Sequence, residues 1–205
     1  KGDARYDIVR KIYDGGMGIV YEAEQHGVRD FVKRVAIKVI REDFARQEMF
    51  LSNFVGEAKL VAELIHTNIV QTYQLGEANG ILYIAMELIR GVNLEQFAQE
   101  LARQRRLLPI EIAVFIVSRV VRGLAYAHGR ADKQGQPLGI VHRDVKPQNV
   151  IVSKVDGLLK IIDFGLSRLA SEDGPALARA SSGEQRRLSL VASERRTAIG
   201  TPGYA

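Results

Sequence analysis

The sequence contains no cysteine. This excludes a disulfide framework and a thiolate zinc site, and it fits a reducing cytosol. Long apolar runs are also missing. The most apolar stretch, residues 110–121, is broken by Glu111, Ser118 and Arg119, so no transmembrane helix is expected. The opening residues, Lys1-Gly2-Asp3-Ala4-Arg5, carry no apolar signal core. They also lack an initiator methionine, so the chain is expected to begin inside a longer protein. A cytoplasmic location is the expectation, with an anchor elsewhere in the parent protein left open. Lysine and arginine outnumber aspartate and glutamate by 29 to 24, for a net charge of +5. These cations are scattered, in pairs such as Arg105-Arg106, Arg186-Arg187 and Arg195-Arg196, with no aromatic residues interleaved. A solvated surface is expected rather than a nucleic-acid partner.

What remains is a 205-residue chain, 46% hydrophobic, which is enough to bury a core. Its first third reads as β structure. Residues 5–12 alternate loosely, the glycines Gly15, Gly16 and Gly18 follow, and residues 19–24 resume a strand. Residues 31–40 have a clear period of two: Val35, Ile37 and Val39 face one way, and Ala36, Lys38 and Ile40 the other. Residues 48–64 carry a helical stripe of Phe50, Phe54, Ala58, Val61 and Ile65. Strands are expected at 69–74 and 81–88, with a turn at Gly76, Asn79 and Gly80.

The character then changes. Residues 93–106 read as a helix. Residues 109–128 read as a long helix, apolar almost all round and hence buried, with Pro109 at its start and Gly129 past its end. A polar loop occupies 131–139. Residues 150–153 and 158–162 form a hairpin through Asp156-Gly157. Residues 171–196 are expected to be a long flexible loop. The expected architecture is α+β and bilobal: a β-rich lobe over about 5–88, a hinge around 87–91, and a partial helical lobe over 89–205.

Three placements suggest chemistry. Glu57 projects from the apolar face of its helix, and Lys38 shares a strand face with Ala36 and Ile40. An ion pair between them would offset both burials, and edge charges reaching water are the alternative. Asn149 precedes the first hairpin strand and Asp163 follows the second, so the antiparallel pairing makes them neighbours. Both are hard oxygen ligands suited to magnesium, and Asp144 and Lys146 lie at the same end. Ordinary turn residues are the alternative there. The turn Gly15-Gly16-Met17-Gly18 is either a simple tight turn or a flap whose N–H groups approach phosphates.

Taken together, these segments resemble the protein kinase family, whose motif set is an established template. The glycine loop is Ile12-Tyr13-Asp14-Gly15-Gly16-Met17-Gly18-Ile19-Val20, and the strand lysine stands in Val35-Ala36-Ile37-Lys38. Glu57 is followed by His66-Thr67-Asn68-Ile69-Val70, and the hinge resembles Met86-Glu87-Leu88-Ile89. The catalytic loop is His142-Arg143-Asp144-Val145-Lys146-Pro147-Gln148-Asn149. Asp163-Phe164-Gly165 and Gly200-Thr201-Pro202-Gly203-Tyr204-Ala205 bound the activation segment, 163–205. Lys146 and Gly200-Thr201 resemble serine/threonine rather than tyrosine kinases. The Gly-Gly-Met-Gly loop and the 131–139 insertion resemble bacterial members.

The resemblance implies ATP and Mg2+ as cofactors, a protein substrate bearing Ser or Thr, and phosphoryl transfer as the activity. Asp144 would accept the substrate proton, Lys146 would neutralise the transferring group, and Lys38, held by Glu57, would hold the α- and β-phosphates. Ile12, Gly15, Gly16, Gly18, Val20, Ala36, Met86, Glu87, Ile89 and Ile151 would line the nucleotide site, with Met86 as gatekeeper. Asn149 and Asp163 would bind the metal. Val61, His142 and Phe164 would stack between the lobes. Thr197, Ser189 and Thr201 are the expected phosphorylation positions, with self-association for autophosphorylation in trans. A non-catalytic kinase-like binding module is the main alternative, and a small-molecule kinase the third. Two departures stand out. Tyr13 replaces the first loop glycine, and the Pro-Glu expected after Ala205 is absent, so residues 1–205 alone are expected to be marginally stable.

Overall fold

The computed structural model describes residues 5–16, 18–41 and 48–164, apart from the side chains of residues 48–50, 53 and 57. Strands β1 (Arg5–Asp14), β2 (Gly18–His26), β3 (Val32–Ile40), β4 (Thr72–Ala78) and β5 (Ile81–Glu87) form one antiparallel sheet, ordered β1-β2-β3-β5-β4. Central strand β3 buries both its faces, since apolar residues alternate to either side. Ala36 and Ile40 pack with Phe54 and Ala58 of helix α1 (Glu48–Ala62) and with Ile84 and Met86 of β5. Val35 and Ile37 pack on the opposite face with Ala23 and Ala85.

Two sequence expectations shift here. Helix α1 ends at Ala62, so Ile65 lies beyond the helical stripe and is 74% exposed, while Leu64 takes the fully buried place. The strand expected at 69–74 begins only at Thr72. The preceding backbone is held by the other half of the molecule instead. The Val70 N–H donates to the Ile161 carbonyl (2.9 Å), and the Ile161 N–H donates to the Asn68 carbonyl (2.8 Å).

The second half is built on a three-stranded sheet ordered β6-β7-β8, from β6 (Gly91–Asn93), β7 (Val150–Ser153) and β8 (Leu159–Ile161). Helix α2 (Leu94–Arg103) starts at a capping box. The Asn93 side chain accepts from the Gln96 N–H, and the Gln96 side chain accepts from the Asn93 N–H. Helix α3 (Ile110–His128) corrects a further expectation. Among the described residues it buries only Ile116, Gly123 and Ala127, and Ile110, Val114, Val117 and Val121 are exposed. Among the described residues its buried side chains pack with two clusters: Ile116 joins Val150 and Leu159, and Ala127 joins Leu64 and Ile140. Gly123 allows the close approach, since a Cβ there would lie 2.8 Å from the Ile161 Cδ1. No described helix is long and apolar enough to cross a membrane.

Candidate active site

The site forms where β3 of the first sheet meets the β7–β8 end of the second. Lys38 sits at the middle of β3, opposite Val20 on β2 and Ile84 on β5. Its side chain is 9% exposed, and its Nζ lies 2.6 Å from Asp163 Oδ1. A buried ammonium needs such a partner. The expected partner, Glu57, lies on α1, and its side chain falls outside the described ones.

The hairpin brings Asn149 and Asp163 together. The Ile162 N–H donates to the Asn149 carbonyl at 3.0 Å, which fixes the two hairpin ends side by side. The Asn149 Nδ2 donates to the Asp144 carbonyl (2.8 Å) and to its carboxylate Oδ2 (3.0 Å). Both amide hydrogens are thereby used, and Oδ1 is left as the acceptor end of a buried side chain. Lys146 Nζ sits 2.7 Å from Asp144 Oδ2. Lys38, Asp163, Asn149, Asp144 and Lys146 thus form one local constellation drawn from two sheets and a loop.

His142 locks this loop to the hairpin. It is 1% exposed. Its Nδ1 accepts from the Asp144 N–H (3.3 Å), so its Nε2 carries the proton and donates to the Ile162 carbonyl (2.9 Å). Burial holds the imidazole pKa below its ordinary value, against weaker opposing effects of the Ile162 bond and of Asp163 and Asp144. The ring also packs on Phe164, with centroids 4.6 Å apart. Phe164 belongs to the buried cluster that Val61 packs against. Arg143 (φ 65°) and Asp163 (φ 58°) both adopt left-handed backbone conformations without being glycine. Such strain costs on the order of 1–3 kcal/mol per residue and collects where surrounding structure over-determines a functional geometry.

Of the residues expected around a nucleotide, Ala36 and Met86 are buried together, with Val20 and Ile89 packed against them. Ala36 and Met86 are direct cross-strand partners. Ile151 is half-buried on β7, and Ile12 is 43% exposed on β1. The three loop glycines differ in kind. A Cβ on Gly18 would overlap the Val39 carbonyl oxygen, so sheet packing alone requires that glycine. Gly15 lies against the Tyr13 ring, and a Cβ on Gly16 would meet open space. Glu87 is tied to both halves: its carboxylate accepts from Lys160 Nζ (2.9 Å) and from the Gln71 N–H (3.2 Å). Sequence reading missed Lys160, whose only signal was a lone charge inside an apolar strand. It also missed Asn68, whose buried Nδ2 donates to the Leu159 carbonyl at 2.9 Å. Thr197, Ser189 and Thr201 lie outside the described residues.

The family model for the protein kinase domain matches residues 6–204, nearly the whole chain. The chain belongs to the protein kinase family. It is 38% identical over 169 residues to the serine/threonine-protein kinase PrkC of Bacillus subtilis, covering 82% of this chain and 23% of that protein. It is also 35% identical over 166 residues to the tyrosine-protein kinase MasK of Myxococcus xanthus, covering 81% of this chain and 26% of that protein. Among solved structures it resembles the PknI kinase domain of Mycobacterium tuberculosis, with a TM-score of 0.64 and 31% identity, over 82% of this chain and 67% of that one. The kinase chain therefore spans about a quarter of the length of these curated relatives. The fold expectation, α+β with a β-rich lobe followed by a helical one, agrees with these neighbours.

Proposed function

We propose that this kinase domain transfers the γ-phosphoryl group of Mg-ATP to serine and threonine hydroxyls of proteins. One observation carries the reading: the pair Lys38–Asp163 and the group Asp144–Asn149–Lys146, reached from separate elements, meet at the end of one hairpin. Lys38 holds the α- and β-phosphates. Val20, Ala36, Met86, Ile89 and Ile151 enclose the adenine, Ile12 borders it, and the backbone of Glu87 and Ile89 bonds its edge. Gly15, Gly16 and Gly18 form the flap over the phosphates. Glu57 is the partner of Lys38 when the site is occupied. The lobes divide near residues 88 and 89, with the activation segment over 163–205.

Asp144 accepts the proton of the attacking hydroxyl and orients that hydroxyl for in-line attack. Its carboxylate is already held by Asn149 and Lys146, so little reorganisation is needed at the moment of transfer. Lys146 offsets charge on the moving phosphoryl group. The donor set suits magnesium: a carboxylate at Asp163 and an amide oxygen at Asn149 are both hard ligands. Among the described residues no group of three His, Cys, Asp or Glu side chains could hold a metal, so nucleotide oxygens and water would complete the shell. A bound Mg2+ supplies charge neutralisation to the phosphates.

Arg143, which precedes Asp144 in the sequence, is the proposed receiver of a phosphate on Thr197, with Ser189 and Thr201 as further acceptors, by self-association in trans. The name of MasK gives tyrosine a specific claim as the alternative acceptor. Incubation with Mg-ATP followed by phosphoamino-acid analysis and mass spectrometry tests the assignment. Phosphoserine and phosphothreonine are expected, with Thr197 occupied. Phosphotyrosine alone would reassign the acceptor. Magnesium-dependent ATP binding without transfer to any protein would favour the non-catalytic module.

A further inference from the structure

The glycine turn between β1 and β2 has little packing of its own. A Cβ on Gly16 would meet nothing within 4 Å, and glycines lose the most conformational freedom on ordering. The turn is nevertheless closed by a bond from the Gly15 N–H to the Gly18 carbonyl, at 3.0 Å. Two side chains lie against it.

The first brace is Arg41. The pairing of Gly18 with Ile40 sets Arg41, the next residue, beside the turn. Its Nε donates to the Gly15 carbonyl at 3.0 Å, and a terminal nitrogen donates to the Asp14 carboxylate. The other Asp14 oxygen accepts from Lys11 Nζ at 2.9 Å. One planar guanidinium therefore grips two consecutive residues, which a point-charge ammonium cannot reproduce. The second brace is Tyr13, whose ring lies so close that a Cβ on Gly15 would sit 2.6 Å from a ring carbon.

The grip has a directional consequence. In a trans peptide the C=O and the following N–H point to opposite sides. Fixing the Gly15 carbonyl on Arg41 turns the Gly16 N–H away from Arg41. Asp14, which Arg41 grips, pairs with Ile19 and through it with Val39, so by strand alternation it lies on the sheet face opposite Lys38, and the Arg41 guanidinium lies on that face with it. The Gly16 N–H is then turned toward the Lys38 side of the sheet.

We infer that Arg41 is a positioning residue for the phosphate flap: together with Tyr13 it holds the turn so that the Gly16 N–H is presented to the nucleotide phosphates. This rests on the Mg-ATP reading above. It also gives a physical role to the tyrosine that replaces the first glycine of the loop.

The test is equilibrium binding of ATP and of adenosine, each with magnesium, to the parent protein and to Arg41→Ala and Arg41→Lys. Arg41→Ala is expected to weaken ATP by about tenfold, the loss of charge-assisted bonds, and to leave adenosine within about twofold. Arg41→Lys keeps the charge but loses the fork, and is expected to resemble Arg41→Ala. Parent-like ATP affinity in Arg41→Ala overturns the inference. So does equal weakening of ATP and adenosine, which marks a general structural defect, and so does full rescue by lysine, which marks simple charge attraction. A parent protein that binds neither ligand overturns the nucleotide reading, and this inference with it.

Discussion

Lys38 and Asp163 are 125 residues apart in sequence, yet their charged atoms stand 2.6 Å apart across the two sheets. The lysine is almost fully buried and the aspartate is about one-third exposed. Removing one partner leaves the other charge without its counterion, and the lysine has no easy route to water. Asp163→Asn is therefore expected to abolish magnesium-dependent nucleotide binding. It should also lower the melting temperature of the free protein by a few degrees, about 2–4 °C for each kcal/mol lost in a domain of this size. Calorimetry with and without Mg-ATP measures both. An unchanged magnesium-dependent shift would remove Asp163 from the metal site.

On the proposed mechanism, Asp144 would separate binding from chemistry. Its carboxylate accepts bonds from Asn149 and Lys146, and asparagine at position 144 keeps the shape but cannot take a proton. Asp144→Asn is expected to bind ATP within a few-fold of the parent and to lose phosphoryl transfer by several orders of magnitude. Single-turnover transfer measured beside equilibrium binding decides the matter. Transfer near the parent rate would show that another group accepts the proton.

The buried histidine predicts a pH dependence of stability. Burial lowers the His142 pKa in the folded state, so the unfolded state binds the proton more readily. The contribution of His142 is thus complete above its ordinary pKa, about 6.5, and is lost as pH falls below that value toward the folded pKa. His66 acts in the same direction, its pKa lowered by partial burial and then by Lys160 and Arg122. Melting temperatures between about pH 7.5 and pH 5.5 are expected to fall, with a shallower slope in His142→Phe. Equal slopes in the two proteins would assign the effect to other groups.

Two glycines give a paired test of backbone packing. A Cβ on Gly91 would overlap the Val152 carbonyl oxygen across the β6–β7 pair, whereas one on Gly16 would meet open space. Gly91→Ala is expected to cost about 1–3 kcal/mol, as overpacking does. Gly16→Ala should leave stability within about 0.5 kcal/mol, as surface substitutions do. Urea denaturation of both variants checks the contrast. Equal midpoints would mean that β6 can move away from β7 at little cost.

Much of this protein is written locally in its sequence. The alternation of residues 35–40 determined which side chains share a face of β3, and the structure buries both faces, with Ala36 and Ile40 on one side and Val35 and Ile37 on the other. The hairpin spacing determined that Asn149 and Asp163 would be neighbours, because antiparallel pairing has a fixed geometry. The motif set likewise determined the family, through residues whose order along the chain is enough. Other features were decided only in three dimensions. The sequence makes α3 apolar nearly all round, but which side is buried depends on where the β7–β8 sheet lies, and that selected Ile116, Gly123 and Ala127. Leu64 rather than Ile65 entered the core because α1 stopped at Ala62. The grip of Arg41 on Asp14 and Gly15 joins residues 26 and 27 positions apart. No periodicity announces such a contact, since it arises from the β2–β3 register and the reach of one long side chain.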